Sequence, residues 1–470
     1  MSYSLLQLIY KNSADLLPKV EAFLDEGHNP NQITKYCESP LRVASNNGRF
    51  DVIELLLSRG ADESQLGWTS LFHAIAYQSS DTLRELIVTG SDLEHKDFWE
   101  RTPFLFSILV GDITKTEILV QAGADIGAVG RCAKTAMAYA IQKDNVDMLN
   151  WLIENGFDPE QTDRFGTTPL IDAAEGGAKK SVDALINHGV DIYRENNIPE
   201  QAITVTNSLD IVRALVSAGA DINDINKETR AKMLGYAVDM APDVSKQEYF
   251  NDKYRVFGKS NPEVANKPFW QAMVKCGGSA YHAASKFDKK RSIFDDDPVW
   301  SFDRFGKSIT PLSDGRFIEI AGEHEDSYDP DFCIYNDVFV HKGNGECDIY
   351  IYPKEVFPPT DFHTATLVGH RIYIIGTLGY LEDRRPGHTP VYQLDIKTLK
   401  IEEVKTGGEM PGWISRHKAY FDGHSTITVK GGKLIVTKDG KEEYVDNTSE
   451  FELSLTTMKW KNLSKNMSDY

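Results

Sequence analysis

Cysteine is scarce in this chain, and what there is stands far apart. Among 470 residues there are five, Cys37, Cys132, Cys276, Cys333 and Cys347. The number is odd and no Cys-x-x-Cys occurs. That excludes a disulfide framework and a structural zinc site, and it predicts free thiols in a reducing compartment, the cytoplasm. Long apolar runs are missing, since none approaches the ~20 residues that cross a bilayer. Met1 to Tyr10 has no basic stretch ahead of its short apolar run, so no signal peptide is expected. Positive charge is in deficit: 51 Lys and Arg stand against 70 Asp and Glu, a formal charge of −19. Such a balance repels phosphate backbones and argues against nucleic acid and membrane partners. A phosphate loop is absent too. Gly176-Gly177 follows no strand, and no Lys-Ser or Lys-Thr comes after it.

What the chain has in quantity is repetition. Gly27, Gly60, Gly90, Gly123, Gly156, Gly189 and Gly219 each close an apolar run of helical period, at separations of 33, 30, 33, 33, 33 and 30 residues. One glycine per ~33 residues marks a solenoid. The unit from Thr168 to Gly189 shows the local physics. Thr168 caps a helix with its hydroxyl, and Pro169 takes the first helical position, where its missing N–H is harmless. Leu170, Ala173 and Ala174 form a narrow apolar face, and Gly176-Gly177 breaks the helix. A second helix follows with Val182, Leu185 and Ile186 at core spacing. Gly189 ends it in the left-handed conformation that glycine adopts at little cost. Ser39-Pro40-Leu41, Thr69-Ser70-Leu71-Phe72-His73-Ala74, Thr102-Pro103-Phe104 and Thr135-Ala136-Met137 open the other units, with Ile198-Pro199 for a later one. The unit at Thr135 lacks the proline and the unit at Ile198 lacks the capping threonine, so shortened first helices are expected there.

This grammar resembles the ankyrin repeat over roughly the first half of the chain. The resemblance implies an α-solenoid, residues 1–240 with about seven repeats, whose N-terminal cap is residues 5–30. It also implies that partners are met at the hairpin tips between units. Aligning the units on the Thr-Pro step puts Trp68 and Arg101 at one tip position. Trp99 and Phe165 share the position two residues before it, and Arg131 lies one further back. Exposed aromatics and arginines of this kind are hot-spot material for a protein partner. His73 occupies a slot where the family often carries a histidine, and there it is expected to be structural.

Residues 241–298 read as a helical connector. Phe269-Trp270, Met273-Val274, Tyr281 and Phe287 have amphipathic spacing, and Gly277-Gly278 divides them. From Val299 the period changes to two, and Gly, Asp and Asn separate short apolar strands. Three rounds open alike, at Arg304-Phe305-Gly306-Lys307-Ser308, Asp361-Phe362-His363-Thr364 and Arg416-His417-Lys418-Ala419. These rounds resemble kelch repeats, which implies an all-β, partial propeller over 299–470. The whole is therefore expected to be multidomain α + β, a solenoid followed by a kelch-like module. The pairing is similar to that in a group of bacterial ankyrin/kelch proteins, a likeness that bears on architecture and implies no activity. Propellers close with ~4–8 blades, and three leave apolar faces open. Either two copies pair as a homodimer, or the rest of the chain covers the open face.

The sequence assigns no catalytic residue, no metal and no cofactor. Its one concentration of chemistry is in the β half. The loop from Gly322 to Asp331 gathers Glu323, His324 and Asp326, oxygens and an imidazole that suit a cation. Asp361 and His363 have the spacing of a carboxylate–imidazole pair, and Arg384-Arg385 suits an anion or the neutralisation of the acidic loop. The leading expectation is a scaffold for protein–protein interaction and not an enzyme. The alternative is a ligand-binding or hydrolytic β module that the repeats direct to its place of action.

Overall fold

The computed structural model describes residues 4–238, 240–290, 297–324 and 332–464. The chain forms two compact units, Met1–Asn226 and Lys227–Tyr470.

The first unit is built from helix pairs. Inner helices are Leu5–Lys11, Pro40–Asn46, Ser70–Tyr77, Pro103–Val110, Ala136–Ile141, Pro169–Glu175 and Ala202–Val205. Outer helices are Leu16–Asp25, Phe50–Ser58, Ser80–Val88, Ile113–Gln121, Val146–Glu154, Lys179–Asn187 and Leu209–Ser217. The hydroxyls of Ser39, Thr102, Thr135 and Thr168 each accept from the N–H three residues on, at 3.2 to 3.4 Å. The seven phased glycines all have left-handed φ, from 78° to 113°. At Gly60, Gly90, Gly123, Gly156 and Gly189 an added Cβ would meet nothing within 4 Å, so the backbone angle and not crowding demands glycine. The inner helix after Thr135 has six residues and the last has four, against eight for Pro103–Val110. The last starts at Ala202, not at the Ile198-Pro199 step, because Gln201 and Thr204 supply the capping box.

A ladder of backbone bonds joins the tips. The N–H groups of Phe98, Arg131, Arg164 and Asn197 donate to the carbonyls of Leu66, Trp99, Cys132 and Phe165 at 2.9, 3.3, 3.2 and 3.0 Å. The helix Lys227–Leu234 continues the repeat phase in sequence but lies in the second unit. Its Arg230 stands 3.5 Å from Glu319, and Lys227 stands 2.7 Å from Asp303.

The second unit is rich in strands. Three antiparallel meanders follow one another along the chain. The first is Ser308–Pro311, Phe317–Ile320, Val338–His341 and Cys347–Ile351. The second is Thr364–Val368, Arg371–Ile375, Val391–Asp395 and Ile401–Glu403. The third is Lys418–Phe421, Thr426–Lys430, Phe451–Ser454 and Lys459–Asn462. Among the described residues no sheet closes on itself. Ile318, Ile320, Val338 and Val340 of the first meander share a core with Ile372, Ile374, Leu394 and Ile401 of the second. Tyr373, Ile375 and Val391 of the second pack with Ile427, Val429, Phe451 and Leu453 of the third.

The two outer faces are handled differently. The helices Lys246–Asp252, Pro268–Cys276 and Ala280–Phe287 are not a separate connector. Tyr249, Phe269, Trp270 and Met273 share one core with Phe339, Ile349 and Ile351 of the first meander. Trp270 stacks on Trp300 with centroids 4.6 Å apart and planes 4° apart. Glu263–Val264 also adds a fifth strand beside Cys347–Ile351. The outer face of the third meander is polar, with Thr426, Thr428, Glu452, Ser454, Lys459 and Lys461 alternating with the buried set. Helices cover one outer face, and polar side chains line the other. Among the described residues no helix is long and apolar enough to cross a membrane.

Candidate functional site

The five tip residues take up different environments. Phe165 is exposed, with the Arg164 guanidinium 5.2 Å from its ring centre. Arg131 is exposed and lies over both Phe98 and Trp99, at 5.0 and 4.9 Å. Its Nη2 donates to the Phe98 carbonyl at 2.8 Å, and Glu100 stands 3.5 Å from its Nε. Trp99 is half-buried, and its indole N–H donates to the Arg42 carbonyl at 2.8 Å. Trp68 is half-buried in an aromatic cluster with Phe50, Phe72 and Phe106 at 6.4, 6.5 and 5.0 Å. Arg101 is fully buried and faces the interior, not solvent. Asp97 accepts from its Nε and Nη2 at 2.8 and 2.5 Å, and the Ser45 carbonyl and Oγ accept from Nη1 and Nη2 at 3.0 and 2.6 Å. A guanidinium without water requires such a carboxylate, which the alignment of tips does not reveal.

The position of Trp99 and Phe165, three residues ahead of the inner-helix cap, recurs at Tyr36, Leu66, Cys132 and Ile198. Tyr36, Phe165 and Ile198 are exposed, Trp99 and Cys132 are half-buried, and Leu66 is buried. From Leu66 on, neighbouring tips are tied by the backbone ladder, and from Trp99 to Ile198 the side chains form a stripe along one edge of the repeats. Cys132 and Ile198 escape a search for aromatic residues, but the 33-residue spacing contains them. Beside the stripe is a cavity of about 150 Å³ lined by Arg131, Cys132, Lys134, Asp163, Thr167 and Asp172 among others. Burial pushes the Lys134 ammonium below its usual range and the Asp172 carboxyl above its own.

The described ligand candidates of the β half do not converge. Asp326 lies outside the described residues. Glu323 and His324 form a two-residue strand, and His324 is buried with Nδ1 2.5 Å from the Tyr335 hydroxyl. Asp361 and His363 make no pair. Asp361 accepts from Thr377 Oγ1 at 2.9 Å and from the Gly379 N–H at 2.7 Å. His363 Nε2 is 2.8 Å from Ser308 Oγ, and burial pushes its pKa down to about 3. Arg384 is occupied: it donates to the Leu378 and Gly379 carbonyls, to Glu442 at 3.0 Å and to the Tyr444 hydroxyl at 2.8 Å. Its carboxylate partner is therefore Glu442. Arg385 lines a cavity of about 460 Å³ with Lys354, Asp383, His388, Tyr392 and Trp413. Burial, with Glu403 nearby, pushes the Tyr392 hydroxyl up to about 12. Among the described residues no group of three or more His, Cys, Asp or Glu is placed to hold a metal ion.

Comparison with known proteins bears on the repeats. A family model described as ankyrin repeats in three copies matches residues 6–97, 78–163, 105–196 and 137–226. The N-terminal region is an ankyrin-repeat solenoid. The Escherichia coli (strain K12) protein YahD, described as an ankyrin repeat protein, is 26% identical over 190 residues, 38% of this chain and 94% of that protein. The mouse B-cell lymphoma 3 protein homolog is 25% identical over 194 residues, 39% of this chain and 43% of its own. The chain thus spans less than half the length of that second ankyrin relative. The crystal structure of the ankyrin repeat domain of Bcl-3 covers 46% of this chain and 98% of its own, at 22% identity and a TM-score of 0.30.

Proposed function

We propose that this protein is an interaction scaffold whose ankyrin tips bind a protein partner, with the strand-rich unit as a second, kelch-like module. The observation that carries the reading is the stripe Trp99, Cys132, Phe165 and Ile198, in which Phe165 and Ile198 are 51% and 70% exposed. Apolar side chains flanked by Arg131 and Arg164 have the composition of interface centres. Residues 1–226 hold 18 Lys and Arg against 33 Asp and Glu, so the solenoid attracts a partner with a basic segment beside its apolar anchor. Similarity to ankyrin repeat proteins supports the same role. Five free thiols support the cytoplasm as its place of action.

The kelch-like part rests on internal repetition. Gly306, Phe362 and Arg416, two residues ahead of the first strand of each meander, have φ of 61°, 46° and 57°. The Phe362 N–H donates to the Gly306 carbonyl at 2.7 Å, and the Arg416 N–H donates to the Phe362 carbonyl at 2.8 Å. Because both outer faces are accounted for, we assign a monomer; a dimer mass by light scattering at micromolar concentration would overturn this.

The test is affinity capture from the native cell with tagged full-length chain. One stoichiometric protein is expected, and Phe165→Ala with Ile198→Ala should abolish its recovery while leaving the melting curve in place. Undiminished recovery by that variant sinks the tip reading. A second reading, a ligand-binding β unit, is favoured by the cavity at Arg385, Tyr392 and Trp413. Under it, Arg385→Ala would change recovery of a small molecule and leave protein capture intact.

A further inference from the structure

We propose that the cavity lined by Arg385, Tyr392, Glu403 and Trp413 in the second unit binds a free α-amino acid with an aromatic side chain, taken as its zwitterion. This rests on the reading of the strand-rich unit as ligand-binding and gives that site its ligand class.

The cavity is built where three stretches of chain meet. Residues 354–360 follow the first meander, residues 377–392 join the second and third strands of the second, and Trp413 precedes the third. Its volume of about 460 Å³ falls among small-molecule sites, ~300–1,000 Å³. The walls are fixed by bonds of their own. Trp413 Nε1 donates to the Leu378 carbonyl at 3.0 Å, and Thr389 Oγ1 donates to the Gly412 carbonyl at 2.8 Å. Arg384 ties the same loop to the Leu378 and Gly379 carbonyls. A site held in this way loses little freedom when a ligand enters.

The lining carries charges of both signs, and they are not all matched. Lys354 stands 3.6 Å from Asp383. Among the described residues the Arg385 guanidinium, the Tyr392 hydroxyl and the carboxylates of Glu355 and Glu403 have no hydrogen-bond or ion-pair partner. Arg384 differs from its neighbour in this respect, since its donors are spent on Glu442, Tyr444 and the loop carbonyls. Tyr392 and Glu403 stand opposite each other on adjacent strands, so their side chains share a face. The Tyr392 hydroxyl is where the fields meet. Burial raises its pKa, Glu403 raises it further and Arg385 opposes, with the result about 12. It keeps its proton and is a donor at neutral pH.

These groups select for two charges on one small molecule. A monoanion would pair with Arg385 and be repelled by Glu403, and a monocation would meet the reverse. A zwitterion satisfies both: its carboxylate accepts from Arg385 and Tyr392, and its ammonium donates to Glu403. The remaining wall is apolar. Trp413 is buried to 5% exposure, and Pro358, Pro359 and Pro390 line the cavity with it. A flat ring packs against such a surface.

Calorimetric titration of the full-length chain tests this with four probes: L-phenylalanine, its amide, its N-acetyl derivative and glycine. L-phenylalanine should bind saturably at one site. The amide lacks the negative charge, the N-acetyl form lacks the positive charge and glycine lacks the ring, so each should bind at least about tenfold more weakly. Arg385→Gln and Glu403→Gln change exposed side chains, so the fold is not at stake. Arg385→Gln should weaken phenylalanine about tenfold and leave the amide unchanged. Glu403→Gln should weaken phenylalanine likewise and leave the N-acetyl form unchanged. No phenylalanine binding up to roughly 10 mM, or phenylalanine affinity that neither variant alters, would overturn the proposal. A singly charged form binding as tightly as phenylalanine would overturn the zwitterion and leave the ligand-binding reading standing. Glycine binding as tightly would overturn the aromatic side chain. The ligand-binding reading itself falls only if Arg385→Ala leaves small-molecule recovery unchanged, so the two failures are separable.

Discussion

His417 Nε2 lies 3.0 Å from Thr364 Oγ1, and this bond repeats, one meander on, the bond of His363 to Ser308 Oγ. In both cases a histidine just before the first strand of one meander holds the hydroxyl that begins the first strand of the meander before it. Both rings are buried, and among the described residues neither Nδ1 has a hydrogen-bond partner. The histidines are latches between meanders.

The latches make the second unit sensitive to acid. Burial pushes both imidazoles down to about 3. The folded pKa lies below the ordinary value, so the unfolded chain takes up protons that the folded chain refuses. Stability is full above about pH 6.5 and falls as pH drops towards 3, by up to ~1.4 kcal/mol per pH unit for each histidine. Urea melts at pH 7.5, 6 and 5 should show this slope, and His363→Gln with His417→Gln should flatten it. An equally steep profile in the double variant would remove the latches as its cause.

Glycine substitutions separate backbone strain from crowding. Gly156→Ala introduces a Cβ with no neighbour within 4 Å at φ 87°. Its loss should be that of the left-handed angle alone, ~1 kcal/mol. Gly432→Ala places a Cβ 2.4 Å from the Ser415 carbonyl oxygen and 2.6 Å from the His417 nitrogen, so the chain must move. Thermal melts should rank Gly432→Ala well below Gly156→Ala.

Arg101 and Asp97 are both without solvent exposure. Arg101→Met strands a buried carboxylate and should cost about 3–5 kcal/mol. Adding Asp97→Leu should recover most of that loss. A double variant no more stable than Arg101→Met would show that the pair does not act as a unit.

Trp270→Ala removes the stack on Trp300 and the indole bond to the Asp252 carbonyl at 2.8 Å. A loss of about 3–5 kcal/mol is expected. It should appear as a lowered second-unit transition by tryptophan fluorescence, with far-UV loss of the solenoid helices unchanged in midpoint. A shift of both transitions together would mean that the units unfold as one.

Much of the fold is legible along the chain because its determinants are local. A threonine hydroxyl reaches an N–H three residues away, and a glycine at a helix end answers to its own φ. Helix pairs, caps and the seven phased glycines can therefore be read from residue order, as can the strands with apolar alternation. Lys441–Asp446 could not be read in this way. Its charged residues show no apolar alternation, and pairing with Lys433–Lys438 makes it a strand. Asp361 and His363 have the spacing of a pair, but each finds a different partner across a sheet.

The solenoid and its stripe of tips follow from residue order, since a period of 33 carries every member back to the same edge. Which tips remain open does not. Arg101 and Phe165 occupy neighbouring places in the repeat, yet one is sealed beneath a helix end from another repeat and the other faces water. The assignment of helices 246–287 to the first meander is of the same kind. Burial and long-range pairing are properties of surfaces meeting in space. Side chains distant in sequence meet there to satisfy a charge, an orphan carbonyl or an apolar face, and no local rule predicts which of them will meet.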